Sequence, residues 1–305
     1  SDVCSSDLLV SAGNFMVGNG GTNGSIQGLV NANGGNLFYW LSNQFTLPNN
    51  VIGPSALYLR TAGGMILDGS KEINMTNGTV EVGRDVYGKL IIRNGANPFF
   101  GRFSLGNVAG TVGEVVQEGG SVNLSLEVRV GHWPSETSTS LMGGGSLNLT
   151  NLTNGLVVNA STEYQGILYL GVDGTGIFTQ TGGVVVAQGI VLDNRGDTAG
   201  TDTFNLEGGT FNLGPYGIQS GNNNGNTSYQ VNLGGGTLRA ITNWSSSRLM
   251  TLTGTNGNVT LDTATNLVTL SGVLSGPGGL KKAGTGTLRL SAVNTFTGVA
   301  QVDAR

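Results

Sequence analysis

Phe204-Asn205-Leu206-Glu207-Gly208-Gly209-Thr210-Phe211-Asn212-Leu213 holds the pattern that decides the fold of this chain. Phe204 and Leu206, then Phe211 and Leu213, alternate with polar residues, the period-two spacing that sends one face of a strand into a core. A glycine pair separates the two runs, and glycine supplies the positive φ that a sharp corner demands. The unit returns as Val115-Val116-Gln117-Glu118-Gly119-Gly120-Ser121-Val122-Asn123-Leu124, as Phe178-Thr179-Gln180-Thr181-Gly182-Gly183-Val184-Val185-Val186, and as Val231-Asn232-Leu233-Gly234-Gly235-Gly236-Thr237-Leu238-Arg239-Ala240. The residue after the glycine pair falls at 121, 146, 184, 210 and 237, in steps of 25, 38, 26 and 27.

Repetition at roughly 20 to 27 residues predicts the stacked coils of a β-solenoid. The long step fits a larger duplication. Leu90 to Gly106 lies over Gly155 to Gly171 without a gap at an offset of 65, pairing Asn94 with Asn159, Phe99 with Tyr164, Gly101 with Gly166 and Leu105 with Leu170. The expected organisation is therefore solenoid coils over 9–255, duplicated at about 77–142 and 144–209, with the last coils over 256–305. Evenly spaced short strands would also suit a sandwich or a propeller. The turns favour the solenoid, because glycine pairs and Asn-rich loops outnumber the two-residue Asn-Gly turns of antiparallel hairpins. In a solenoid each coil hides its Val, Leu, Ile and Phe only against the coils above and below, so no coil folds alone.

Composition agrees with this. The 305 residues include 54 glycines and 6 prolines, and only 10% are charged, where a typical domain carries about 25%. Asn, Ser, Thr and Gly supply the polar surface and disfavour long helices. A hydrophobic share of 38% in alternating runs such as Thr79-Val80-Glu81-Val82, Ser146-Leu147-Asn148-Leu149 and Thr287-Leu288-Arg289-Leu290 argues against disorder. The net charge of -4 leaves no basic footprint for nucleic acid or anionic lipid. No apolar run reaches the ~20 residues of a membrane helix, so no membrane insertion by this segment is expected. Residues 1–8, with the lone Cys4, resemble a translated sequencing adapter and are read as a scar, which leaves neither a disulfide framework nor a thiolate metal site.

Residues 276–305 read GPGGLKKAGTGTLRLSAVNTFTGVAQVDAR. This stretch resembles the autotransporter-associated β-strand repeat. A Gly-Leu-x-Lys falls on Gly279, Leu280 and Lys282; a Gly-x-Gly-x-Leu-x-Leu on Gly284, Gly286, Leu288 and Leu290; an Asn-Thr-aromatic-x-Gly on Asn294, Thr295, Phe296 and Gly298. The run over 251–275 looks like what leads into that repeat, and Val299-Ala300-Gln301 departs from its usual Gly-Thr-Thr. The resemblance implies an all-β, right-handed, single-stranded parallel β-helix of the pectin-lyase-like kind, exported and displayed at the cell surface. Right-handedness is also the default for parallel crossovers. An outer-membrane anchor is expected in segments not present here.

Residues able to carry chemistry occur singly along the chain. His132, in Gly131-His132-Trp133-Pro134-Ser135, reads as a loop histidine without an orienting acid or nucleophile. The acids Asp68, Asp85, Glu127, Glu163, Asp173, Asp193, Asp197, Asp202 and Asp262 are scattered, whereas glycoside hydrolysis needs two carboxylates converging on one bond. Asp193-Asn194-Arg195-Gly196-Asp197 is the densest group and could hold calcium, though a solvated turn explains it as well. The Gly-rich stretches match no phosphate loop. Trp40, Trp133 and Trp244, with Tyr39, Tyr87, Tyr164 and Tyr216, would form a sugar platform only if they shared a face, and no regular spacing links them.

The expected function is accordingly a non-catalytic passenger or stalk segment with no catalytic, cofactor-binding or metal residues and no cofactor. Its partners would be further coils of the same polypeptide and host or environmental glycans. An adhesin or carbohydrate-binding module and a β-helical polysaccharide-acting enzyme are the alternatives.

Overall fold

The computed structural model describes residues 8–9, 14–17, 30–31, 36–41, 45–46, 51–52, 56–61, 65–68, 73–83, 87–93, 96, 98–106, 111–131, 144–149, 156–158, 166–172, 174–193, 201–221 and 228–303. They form strands and turns without a helix, and every strand pair among them is parallel. Pairing runs between strands of successive coils. The chain is a β-solenoid.

Register resolves the solenoid into three ladders. The first runs through 65–68, 88–93, 112–117, 144–149, 175–180, 203–206, 229–233, 250–252 and 274–275. The second passes through 74–75, 99–100, 122–124, 156–158, 184–187, 210–213, 237–240, 259–262, 280–283 and 300–302. The third passes through 56–61, 79–82, 102–105, 127–130, 167–170, 189–192 and 217–220, and resumes as a separate sheet at 244–246, 267–270 and 287–290. The long strands Thr175–Leu192 and Asp202–Ser220 turn through all three ladders, with register shifts at the corners.

Alternation along each ladder builds the core. Leu90 and Ile92, Phe178, Phe204 and Leu206, Val231 and Leu233 point inward from the first ladder; Val185, Phe211, Leu213 and Leu238 from the second; Val80, Val82, Phe103, Val128, Leu168 and Ile190 from the third. All of these are 2% exposed or less. Phe178 and Phe204 stack one coil apart with centroids at 5.3 Å and planes 2° apart, and Phe211 meets Phe204 edge-on at 5.3 Å. The unit over 204–213 thus sets two faces of one coil against each other.

The corner between the third ladder and the first explains much of the glycine. Gly83, Gly106, Gly131 and Gly171 follow the third-ladder strands in left-handed conformations (φ 66–73°), each donating its N–H to the coil before, from Gly83 to Leu59, Gly106 to Val82, Gly131 to Leu105 and Gly171 to Val130. A second glycine column, Gly88, Gly113 and Gly176, lies against those same bonds. A Cβ on Gly113 would stand 2.1 Å from the Val82 oxygen and 2.6 Å from the Gly106 nitrogen. Two aspartates take over in later coils. Asp193, with φ 50°, continues the first column by donating its N–H to Leu170, and Asp202 succeeds Gly176 in the second, its Oδ1 accepting the Gly176 N–H at 2.8 Å.

The glycine-pair series needs one correction. Val122, Leu156, Val185, Phe211 and Leu238 succeed one another in the second ladder, so the residues after the pairs at 121, 184, 210 and 237 share a corner. Ser146 does not, because it pairs with Glu114 and Ile177 in the first ladder. The step of 38 arises from that change of ladder. At the offset of 65, Leu105 and Leu170 do share the third ladder, two coils apart through Val130. Ile91 lies in the first ladder, while its counterpart Leu156 lies in the second.

In the last coils, side-chain amides stand in for ladder bonds. Asn294 Oδ1 accepts the Leu274 N–H at 2.8 Å, while the N–H groups of Thr295 and Phe296 donate back to the Leu274 carbonyl. Phe296 packs on the core. A Cβ on Gly298 would meet Gly278 and Gly279 backbone at 2.4 Å. The Asn-Thr-aromatic-x-Gly signature is therefore a clasp on the preceding coil.

Candidate functional site

With the apolar residues turned inward, any chemistry lies on the outside of the ladders, where charged residues meet partners one coil away. Arg93 pairs with Asp68 at 3.2 Å, Lys89 with Glu114 at 3.1 Å and Arg239 with Asp262 at 3.5 Å, each pair directly in register. Parallel stacking makes this possible, because a basic residue and an acidic one at equivalent sites of successive coils become lateral neighbours. The largest grouping is on the third ladder. Glu127 Oε1 accepts from Arg102 Nε and from Arg129 Nη2, both at 2.6 Å, and Glu127 is only 3% exposed. Two guanidiniums offset the cost of burying one carboxylate. Tyr169 follows Arg129 in register; burial, then the Glu127 charge, pushes its phenol up, against the opposing pull of Arg129.

Tyr87, Lys89 and Glu114 form a smaller group on the first ladder. Tyr87 Oη donates to Glu114 Oε2 at 2.5 Å and Lys89 Nζ donates to Oε1 at 3.1 Å. Burial opposes ionisation of Glu114, yet the bonds from Tyr87 and Lys89 and the Lys89 charge outweigh it and hold the carboxyl below its usual value. The Tyr87 phenol is pushed up to about 12 by burial first, then by the Glu114 bond and charge. Farther along, Asn205 donates to Thr179 Oγ1 at 3.1 Å and Asn232 to Asn205 Oδ1 at 2.9 Å, an amide and hydroxyl row running up the outside.

Of the acids singled out from sequence, Asp68, Glu127 and Asp262 are each paired with arginine as above. Asp193 and Asp202 sit at the glycine corner, 2% and 3% exposed. Asp85, Glu163, Asp173 and Asp197, like His132, Trp133 and Tyr164, lie outside the described residues, and so does the remainder of the 194–197 stretch. No group of three or more His, Cys, Asp or Glu residues among the described residues is placed to hold a metal ion. Of these aromatics, the three whose side chains are described do not share a face: Trp244 is buried at 4% exposure inside the third ladder, Tyr87 is exposed at the start of a first-ladder strand, and Tyr216 is exposed at the corner before the third. Trp40 and Tyr39 lie in the strand Asn36–Leu41. Sequence reading missed the Arg102-Glu127-Arg129 grouping, and the Lys89-Glu114 and Arg93-Asp68 pairs share its separation of 25 residues. That common separation was the available signal.

The chain is 34% identical over 118 residues to the adhesin BmaC autotransporter of Brucella suis biovar 1 (strain 1330). The match covers 37% of this chain and 3% of that protein, so the chain spans a small part of the curated relative's length. No family model matches the chain. No solved structure matches it either. The likeness and the parallel solenoid together fit a fragment of an autotransporter passenger β-helix.

Proposed function

We propose that the chain is a surface-displayed passenger segment, a non-catalytic spacer whose outer faces also serve adhesion. One observation carries this reading: among the described residues, parallel coils recur between 56 and 302 with a continuous apolar core inside. Such a column gains length by adding coils without changing its cross-section. The similarity to a protein named as an autotransporter adhesin supports both display and adhesion. Pairing of Asp68, Glu127 and Asp262 with arginines supports a structural role for these acids, because a hydrolase needs two carboxylates facing one bond. Anchorage lies in other segments under this reading, and glycans are the proposed external partners.

The test is to place the chain between a secretion signal and a β-barrel translocator in a Gram-negative host, then probe intact cells with antibody and added protease. Surface labelling that protease removes is expected. Retention inside the outer membrane, with folding intact, would sink the display reading; release of reducing or unsaturated sugar from any of a polysaccharide panel would sink the non-catalytic one.

A further inference from the structure

The third ladder lapses between 217–220 and 244–246, and a polar cleft fills the lapse. Strand 244–246 joins 267–270 and 287–290 in their own sheet instead of continuing the ladder below. Ser246 marks the seam: its hydroxyl donates to the Ile218 carbonyl at 2.6 Å, doing by side chain what the ladder does elsewhere by backbone. The cleft beside it has a volume of about 280 Å³ and is lined largely by serine, with Ser220, Ser247 and Ser271 among its walls.

Arg248 stands in this cleft among hydroxyls. Arg93, Arg102, Arg129 and Arg239 each meet a carboxylate. Arg248 instead donates from Nη1 to Ser220 Oγ at 2.5 Å and from Nη2 to Ser247 Oγ at 2.9 Å, and its Cζ lies 5.9 Å from the centre of the Tyr229 ring. No carboxylate pairs with it among the described residues. Arg248 is half-buried, its guanidinium held in place by neutral groups that do not neutralise its charge.

We infer that this cleft binds the carboxylate of an acidic sugar unit. A fixed guanidinium presents a planar fork that matches a carboxylate bidentately. Serine hydroxyls both donate and accept, which suits the ring hydroxyls of a sugar. The volume lies just below the usual range for small-molecule sites, which suits a ligand no larger than one ring. The lining is too polar to favour an apolar ligand. This inference deepens the adhesive part of the proposed function by naming a ligand class. Its failure leaves the display reading intact, because surface labelling tests display without any ligand.

The experiment is an amide-resolved NMR titration of the whole chain with methyl glucuronide, methyl glucoside, acetate and sulfate. Glucuronide is expected to shift resonances of Ser220, Ser245 to Arg248 and Ser271 and to bind at least tenfold more tightly than any of the other three. Arg248→Lys, which keeps the charge and loses the fork, should weaken glucuronide at least tenfold, and Ser271→Ala about threefold, each at an unchanged melting temperature. Should Arg248→Lys melt early, Ser271→Ala decides alone. Equal binding of glucuronide and sulfate would make this an adventitious ion only. Equal binding of glucuronide and acetate would remove the sugar. Absence of shifts with glucuronide, or shifts unaffected by the decisive variant, would make Arg248 a structural link between coils.

Discussion

Gly113 shows how a single missing methyl holds two coils together. A Cβ there would intrude on the Gly106 N–H bond to the Val82 carbonyl, a bond of 2.9 Å between buried residues. Gly113→Ala should lower stability by about 1–3 kcal/mol for one broken buried hydrogen bond, with overpacking adding to it. The urea midpoint should fall at unchanged slope; an unchanged midpoint would show that the corner relaxes freely. Tyr87 and Glu114 make a pH-dependent pair. Because the folded Glu114 carboxyl titrates below its ordinary 4.5, its contribution is present above that value and is lost as pH falls through the lower, folded one. Tyr87 works at the other extreme: its contribution is present below pH 10 and is lost as pH rises toward about 12. In Tyr87→Phe the Glu114 carboxyl should titrate higher, as followed by side-chain carbon NMR. An unmoved titration would assign its depression to Lys89 alone.

At the scale of a strand, stability resides in what successive coils offer one another. Phe204 touches Phe178 in the coil before and Phe211 across its own coil. Phe204→Ala should cost about 3–5 kcal/mol, the usual range for emptying a buried aromatic site. Coupling between neighbours should spread the effect. Hydrogen exchange is expected to quicken in the strands Thr175–Leu192, Asp202–Ser220 and Tyr229–Leu233 while Val259–Asp262 keeps its protection. Uniform quickening across the chain would show one global folding unit instead. The in-register ion pairs belong to this scale too. Lying partly exposed, they contribute little stability, on the order of 0–1 kcal/mol each, and serve better to penalise a slip of one coil against the next.

Over the whole molecule, a column of parallel coils presents an open strand edge at each end. Strand Ala300–Val302 pairs with 280–282 alone among the described residues, and Val299 and Val302 there are 70% and 71% exposed. An open edge with apolar side chains is a template for another chain. The isolated chain should therefore associate as concentration rises, and Val302→Lys should reduce this association. Sedimentation over a tenfold range of concentration measures both, and a single monomer boundary throughout would count against an exposed edge.

Sequence by itself determined the class of fold and the kind of face each strand presents. Alternation in Phe204-Asn205-Leu206 and Thr79-Val80-Glu81-Val82 depends on backbone geometry within a few residues, so inward and outward positions could be read directly. Gly120, Gly183 and Gly209 do adopt left-handed corner conformations, a preference of the local backbone that could be read from the residue type. The Asn-Thr-aromatic-x-Gly signature was legible as a pattern, but not as the clasp that Asn294 makes on Leu274. Which residues become neighbours one coil away depends on coil length, and coil length varies: Val122 is followed in its ladder by Leu156, whereas Phe211 is followed by Leu238. Spacing alone therefore put Ser146 in the wrong series and left Arg102, Glu127 and Arg129 looking unrelated. Only the stacking register, set by core packing over the whole column, brings those three together and leaves Arg248 among serines.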